Sequence, residues 1–179
     1  MRKRTTTIWI IMIFLAGLSL LLYPFIANEW NTYRQERLIS SYETVIADKE
    51  EAGEIDYGTE RETAAAYNEE LVPSVLPDSF AVAAAADEPD PEYMAALNIA
   101  GDGVMGSVEI PKIDISLPIC HTTTEEVLEQ AAGHLEGSSL PVGGENTHAV
   151  ISAHRGLPSA SLFTDLDKLE EGDHFLLYI

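Results

Sequence analysis

The chain is poor in cysteine and, beyond its first few residues, poor in positive charge. Cys120 is the single cysteine among 179 residues, so no intrachain disulfide is available and the fold must hold without one. One thiol also leaves a Cys-based metal site without a second sulfur ligand. Three of the ten Lys and Arg residues are Arg2, Lys3 and Arg4. The remaining seven face thirty Asp and Glu, and the formal net charge is −20. Phosphate backbones need a basic surface, so this balance argues against a nucleic-acid partner. There is no GxxxxGK[ST] phosphate loop and no GxSxG elbow, and no cofactor is expected.

One long stretch lacks charge altogether. Residues 8–26, IWIIMIFLAGLSLLLYPFI, span close to 30 Å as a helix at about 1.5 Å per residue, the hydrocarbon thickness of a bilayer. Trp9 and Tyr23 sit near opposite ends, where interfacial aromatics collect, and the three basic residues precede the run. The positive-inside rule places the N-terminus in the cytoplasm and the rest outside. No small-x-small cleavage site follows, which favours an uncleaved signal anchor. Residues 1–27 are thus expected to form a cytoplasmic tip and transmembrane anchor.

Residues 28–71 carry apolar side chains at spacings near three and four (Trp30, Tyr33, Leu38, Tyr42, Val45, Ile46), which predicts an extracellular helical segment. Gly53 and Gly58 interrupt it, with a second helix near residues 59–71. Residues 72–91 hold four prolines, an alanine run and four acidic residues, and read as a long loop of the kind that forms lids or linkers. A short helix over 91–98 follows. From Gly103 the period changes to two: residues 104–110, 113–119, 148–153 and 174–179 read as strands, about four in all. Thr124 is placed to cap a helix over 124–132. Residues 159–163 read as a short helix or turn.

His154 is the leading candidate for chemistry. A run of small and β-branched residues delivers it to a strand end, and Arg155, Gly156 and Pro158 open a loop beyond it. Histidine is the usual general acid or base near neutral pH. Cys120 is a weaker candidate nucleophile, because it ends an alternating apolar strand, where free cysteine acts as a small hydrophobe. His121 is its strand neighbour and points to the opposite face. The five histidines, His121, His134, His148, His154 and His174, show no tight ligand spacing, and Gly101-Asp102-Gly103 lacks the alternating ligands of a calcium loop. No metal is expected.

Three blocks occur in order: GVMGSVEIPKI, GHLEGSSLPVGG and SAHRGLPSASLFTDLDKL. They resemble the front half of a class C, pilus-assembling sortase. The resemblance covers residues 67–179, and the anchor and helical segment match in general layout. It implies a mainly β fold with N-terminal helices: the front part of a sortase-type barrel over residues 92–179, preceded by a transmembrane helix and a lid loop. It implies a cysteine transpeptidase that cleaves an LPxTG-like sorting signal between Thr and Gly and passes the acyl group to a pilin lysine amine. His154 matches the catalytic histidine. Asp78 and Phe80 match the lid motif, with Ser79 in place of its proline. The expected partners are LPxTG-bearing pilins or surface proteins and the membrane of a Gram-positive cell. The family's TLxTC nucleophile strand and later arginine have no counterpart in these 179 residues, and Arg155 does not match that arginine. The expectation is a truncated chain without transpeptidase activity of its own. A non-enzymatic, membrane-tethered extracellular interaction domain with a sortase-like front is the alternative.

Overall fold

The computed structural model describes residues 2–71 and 89–179. Helix α1 runs unbroken over Arg2–Glu51 and passes through Pro24. The boundary between the apolar run and the helical segment therefore lies inside one continuous rod. Its apolar first half is exposed: Ile13 is 70%, Phe14 66% and Leu20 77% accessible. By length and composition α1 can cross a membrane.

The helix ends where the sequence permits a left-handed residue. Gly53 has φ +69, its N–H donates to Glu50 O at 3.0 Å, and Glu54 N–H donates to Lys49 O at 2.9 Å. These two bonds make a Schellman stop. Asp56 then caps α2 (Tyr57–Glu70), accepting from the N–H groups of Gly58 and Thr59. Helix α3 (Pro91–Ala95) starts with proline in its first turn and Asp90 as its cap.

Seven short strands follow, where sequence periodicity predicts about four. These are β1 (Val104–Ile110), β2 (Ile115–His121), β3 (Ala132–His134), β4 (Ile151–Ser152), β5 (Arg155–Leu157), β6 (Ala160–Leu162) and β7 (Leu176–Tyr178). Five form a sheet in the order β4-β3-β2-β1-β7, and β5 and β6 form a separate hairpin. The β2–β3 pair is parallel and the others are antiparallel. Helix α4 (Glu125–Leu128) makes the crossover between β2 and β3. It is shorter than the predicted 124–132 helix. Thr124 occupies the cap position, but its side chain makes no capping bond.

Two further expectations need correction. Within residues 159–163, expected as a short helix or turn, Ala160–Leu162 form β6 of the hairpin, with Leu157 opposite Ala160 across the turn at 158 and 159. The strand expected over 148–153 pairs only at Ile151 and Ser152, against His134 and Gly133. Both differences come from partners distant in sequence, which no local period reveals.

The core lies between the sheet and the helices: Met105, Val108, Leu117, Ile119, Leu140, Leu162 and Tyr93 are buried in one cluster. α1 docks on this domain through an unexpected face. Trp30 and Tyr33 are 63% and 54% exposed, while Gln35 is 6% exposed. The docking stripe runs through Asn28, Asn31, Gln35 and Tyr42, each hydrogen-bonded to the domain. The amides bind backbone groups that hydrophobic contact would leave unpaired.

Candidate functional site

His154 lies in the connection between β4 and β5. Its carbonyl oxygen accepts from Phe163 N–H at 3.1 Å, which ties it to the far end of β6. The residue is half-buried. Next to it, Arg155 is exposed and pairs with Asp167 at 3.0 Å. Gly156 takes φ +77, and its N–H donates to Thr164 Oγ1 at 2.9 Å. The loop that carries the histidine is therefore tied to the segment at the end of β6 by these two bonds, while Arg155 and Gly156 face solvent.

That loop is held from behind by a buried polar network. Tyr93 and His134 are fully buried. Thr122 N–H donates to the Tyr93 hydroxyl at 3.0 Å, and that hydroxyl lies 3.1 Å from His134 Nδ1 and 2.9 Å from His134 O. His134 Nε2 lies 2.9 Å from Ser139 O. Burial holds the His134 imidazole below its ordinary pKa, so the ring is neutral. Nε2–H then donates to Ser139 O, and the single Tyr93 O–H proton is shared between His134 O and the acceptor Nδ1. The same burial raises the Tyr93 phenol far above its ordinary value. Ser138 Oγ and Ser139 Oγ accept from Val150 and His148 N–H, so the network grips the segment that leads into β4 and His154. The GHLEGSSL block thus has a structural reading that periodicity does not reveal: its His and two Ser satisfy buried backbone groups.

Cys120 lies elsewhere. It lines a cleft of 730 Å³ between α1 and the sheet, together with Trp30, Arg34, Asp102 and Gln130, and His154 is not among the lining residues. Burial, with a smaller contribution from Asp102, pushes its thiol up to about 11. A nucleophilic thiol requires the opposite shift. His121 is buried, with ring nitrogens 3.0 Å from Gly103 O and 2.8 Å from Ala96 O. The structure brings neither histidine to the thiol as a base. Among the described residues, no three His, Cys, Asp or Glu side chains gather as a metal site. Asp78 and Phe80 lie outside the described residues.

The sortase domain model matches residues 108–179, the stretch that contains β2 to β7 and His154. The chain is 38% identical to sortase C1 from Streptococcus agalactiae, with a TM-score of 0.64, over 80% of this chain and 70% of that one. The chain belongs to the sortase family. Sortase C from Streptococcus pneumoniae is 39% identical with a TM-score of 0.57, over 76% of this chain and 68% of the other. Sortase D from Bacillus subtilis is 38% identical over 74 residues, 41% of this chain and 34% of that protein. The chain spans between a third and a half of the length of the curated relatives it matches. Within this sortase chain, His154 and its loop fall inside the matched domain, and the Cys120 cleft shares residues with α1 outside it.

Proposed function

We propose that this protein is a membrane-anchored class C sortase, with α1 as its single transmembrane anchor, its N-terminus in the cytoplasm and its remaining residues outside a Gram-positive cell. In this reading a thiolate attacks the Thr carbonyl carbon of an LPxTG-like signal and the Thr–Gly bond breaks. His154 supplies the proton that the leaving Gly amine takes up. A pilin lysine amine then attacks the thioester, its proton passes to His154, and the thiolate is released, which restores the starting pair. Asp78 and Phe80 act as a lid over the thiol. The observation that carries the reading is the backbone-clamped, half-buried His154 inside the matched sortase domain. The likeness to streptococcal sortase C proteins supports the class.

Cys120 does not serve as the thiol of this scheme. Its pKa is raised and its cleft is not lined by His154. In this reading residues 1–179 alone are expected to show no transfer, because Cys120 is not the thiol. The same observation favours a second reading, a tethered extracellular interaction domain on a sortase scaffold. One assay separates them. The product of the complete reading frame is incubated with an LPxTG peptide and an amine acceptor. Cysteine-dependent transfer that falls by about 10²–10⁴-fold in His154→Ala supports the enzyme. A folded product without transfer supports the interaction domain. Transfer by residues 1–179 that Cys120→Ser abolishes would overturn the assignment of the thiol.

A further inference from the structure

The hairpin beside His154 is attached to α1 within two turns of the end of the apolar run. Asn28 Oδ1 accepts from both Ser161 N–H and Ser161 Oγ–H at 2.8 Å. Asn31 Nδ2–H donates to Ser159 O at 2.7 Å. The backbone partners fix the roles: an N–H needs the amide oxygen of Asn28, and a carbonyl needs the amide nitrogen of Asn31. The order of the contacts also fixes direction. Asn28, nearer the apolar run, holds Ser161, and Asn31, one turn farther, holds Ser159. β6 therefore runs back toward the apolar end of α1 as it approaches Phe163, whose N–H binds His154 O.

Helix geometry converts these contacts into depth. Along α1, Asn28 lies about 3 Å beyond Ile26 and Asn31 about 8 Å beyond it. The polar headgroup layer is roughly 5–8 Å thick on each side of a bilayer. α1 is continuous through this region, with no hinge between the apolar run and the clasp.

We infer that the β5–β6 hairpin is a membrane-surface element. Asn28 and Asn31 are positioning residues that hold it, and His154 with it, at the level of the lipid headgroups. This rests on the reading of α1 as a membrane anchor. The clasp is polar and short, so it sets a fixed height rather than a tether length. Exposed Arg155, opposite Leu162 at the hairpin end nearer the apolar run, lies beside the phospholipid phosphates. α1 stays docked on the domain at other points, through Gln35 Nε2–H to Gln130 O at 2.9 Å and Tyr42 Oη–H to Met105 O at 3.3 Å. Breaking the clasp should therefore free the hairpin without undocking the helix.

The test uses the full chain in phosphatidylethanolamine/phosphatidylglycerol vesicles. A fluorophore is placed by Arg155→Cys on a Cys120→Ser background, and quenching is compared for nitroxides on lipid headgroups and deep in the acyl chains. Headgroup quenching should exceed deep quenching several-fold. It should drop at least twofold in Asn28→Leu/Asn31→Leu, survive in Asn28→Asp, which keeps the acceptor, and drop in Asn31→Asp, which loses the donor. Hydrogen exchange on the otherwise unsubstituted chain gives a second readout: Ser161 and Phe163 amides should exchange at least tenfold faster in Asn28→Leu. Vesicle-bound protein without preferential headgroup quenching, or a double variant that quenches and exchanges like the parent, overturns the inference. Failure to float with the vesicles overturns the anchor itself, and the inference falls with it.

Discussion

The Tyr93 hydroxyl sits 3.1 Å from His134 Nδ1, joining a five-residue helix to the middle of the sheet across 41 positions of sequence. Neither residue is exposed. The pair is the hinge point of a network that also holds Thr122, Ser138 and Ser139, and through them the segment that leads to His154.

Removing the hydroxyl should be costly. Tyr93→Phe leaves Thr122 N–H without its acceptor and removes the O–H that serves His134 O and Nδ1, at about 1–3 kcal/mol for each orphaned group. Urea melts followed by circular dichroism should show a loss of roughly 2–6 kcal/mol. A loss below about 0.5 kcal/mol would mean that water replaces the hydroxyl freely.

His134 should make stability depend on pH. Its folded pKa lies below the ordinary value of 6.5 because burial disfavours the charged ring. The folded state thus binds fewer protons than the unfolded chain at mildly acid pH, and stability rises with pH across the interval between the two values. The urea midpoint should fall as pH drops from 7 to 5. His134→Gln should flatten that slope, whatever it does to stability at pH 7. An unchanged slope would remove His134 from the account.

Cys120 should be a slow thiol. With its pKa pushed up to about 11, little thiolate exists at pH 7.5, and the side chain is half-buried. Alkylation by iodoacetamide should be at least tenfold slower than in the same chain unfolded in urea, and should accelerate steadily up to pH 10. Rapid labelling of the native protein at neutral pH would contradict the described environment.

Gly133→Ala should break the parallel β2–β3 pair. A Cβ at this position would collide with Thr122 O and press on Leu128 Cδ2. Because the obstacle is backbone, relief requires the strands to part, at a cost of about 2–4 kcal/mol. A thermal melt should show a marked drop in midpoint, whereas Gly137→Ala meets open space and differs only through its positive φ.

Much of the architecture was legible in local pattern. The length and charge of residues 8–26 predict a bilayer-spanning helix, Gly53 marks the break between α1 and α2, and period-two alternation predicts β1 and β2. The short strands were not legible. β4, β5 and β6 have two or three residues each, too few for a period, and owe their existence to partners across the sheet or hairpin. The polar contacts of α1 were not legible for a related reason. Trp30 and Tyr33 satisfy an apolar spacing, but the domain meets α1 at backbone groups that need amides.

At the site, His154 was identifiable because the residues around it form a contiguous block and the strand-end setting is local. The roles of His134, Ser138, Ser139, Asn28 and Asn31 depend on atoms that lie far away in sequence. The sequence by itself determined the family, the apolar span and the candidate histidine, since each rests on residue order or run length. Only the tertiary structure decided that Cys120 and His154 occupy separate places, that His134 is a buried neutral strut, and that the His154 hairpin is clasped to α1 beside the apolar run. Burial and hydrogen-bond pairing between distant segments exist only once the chain has folded.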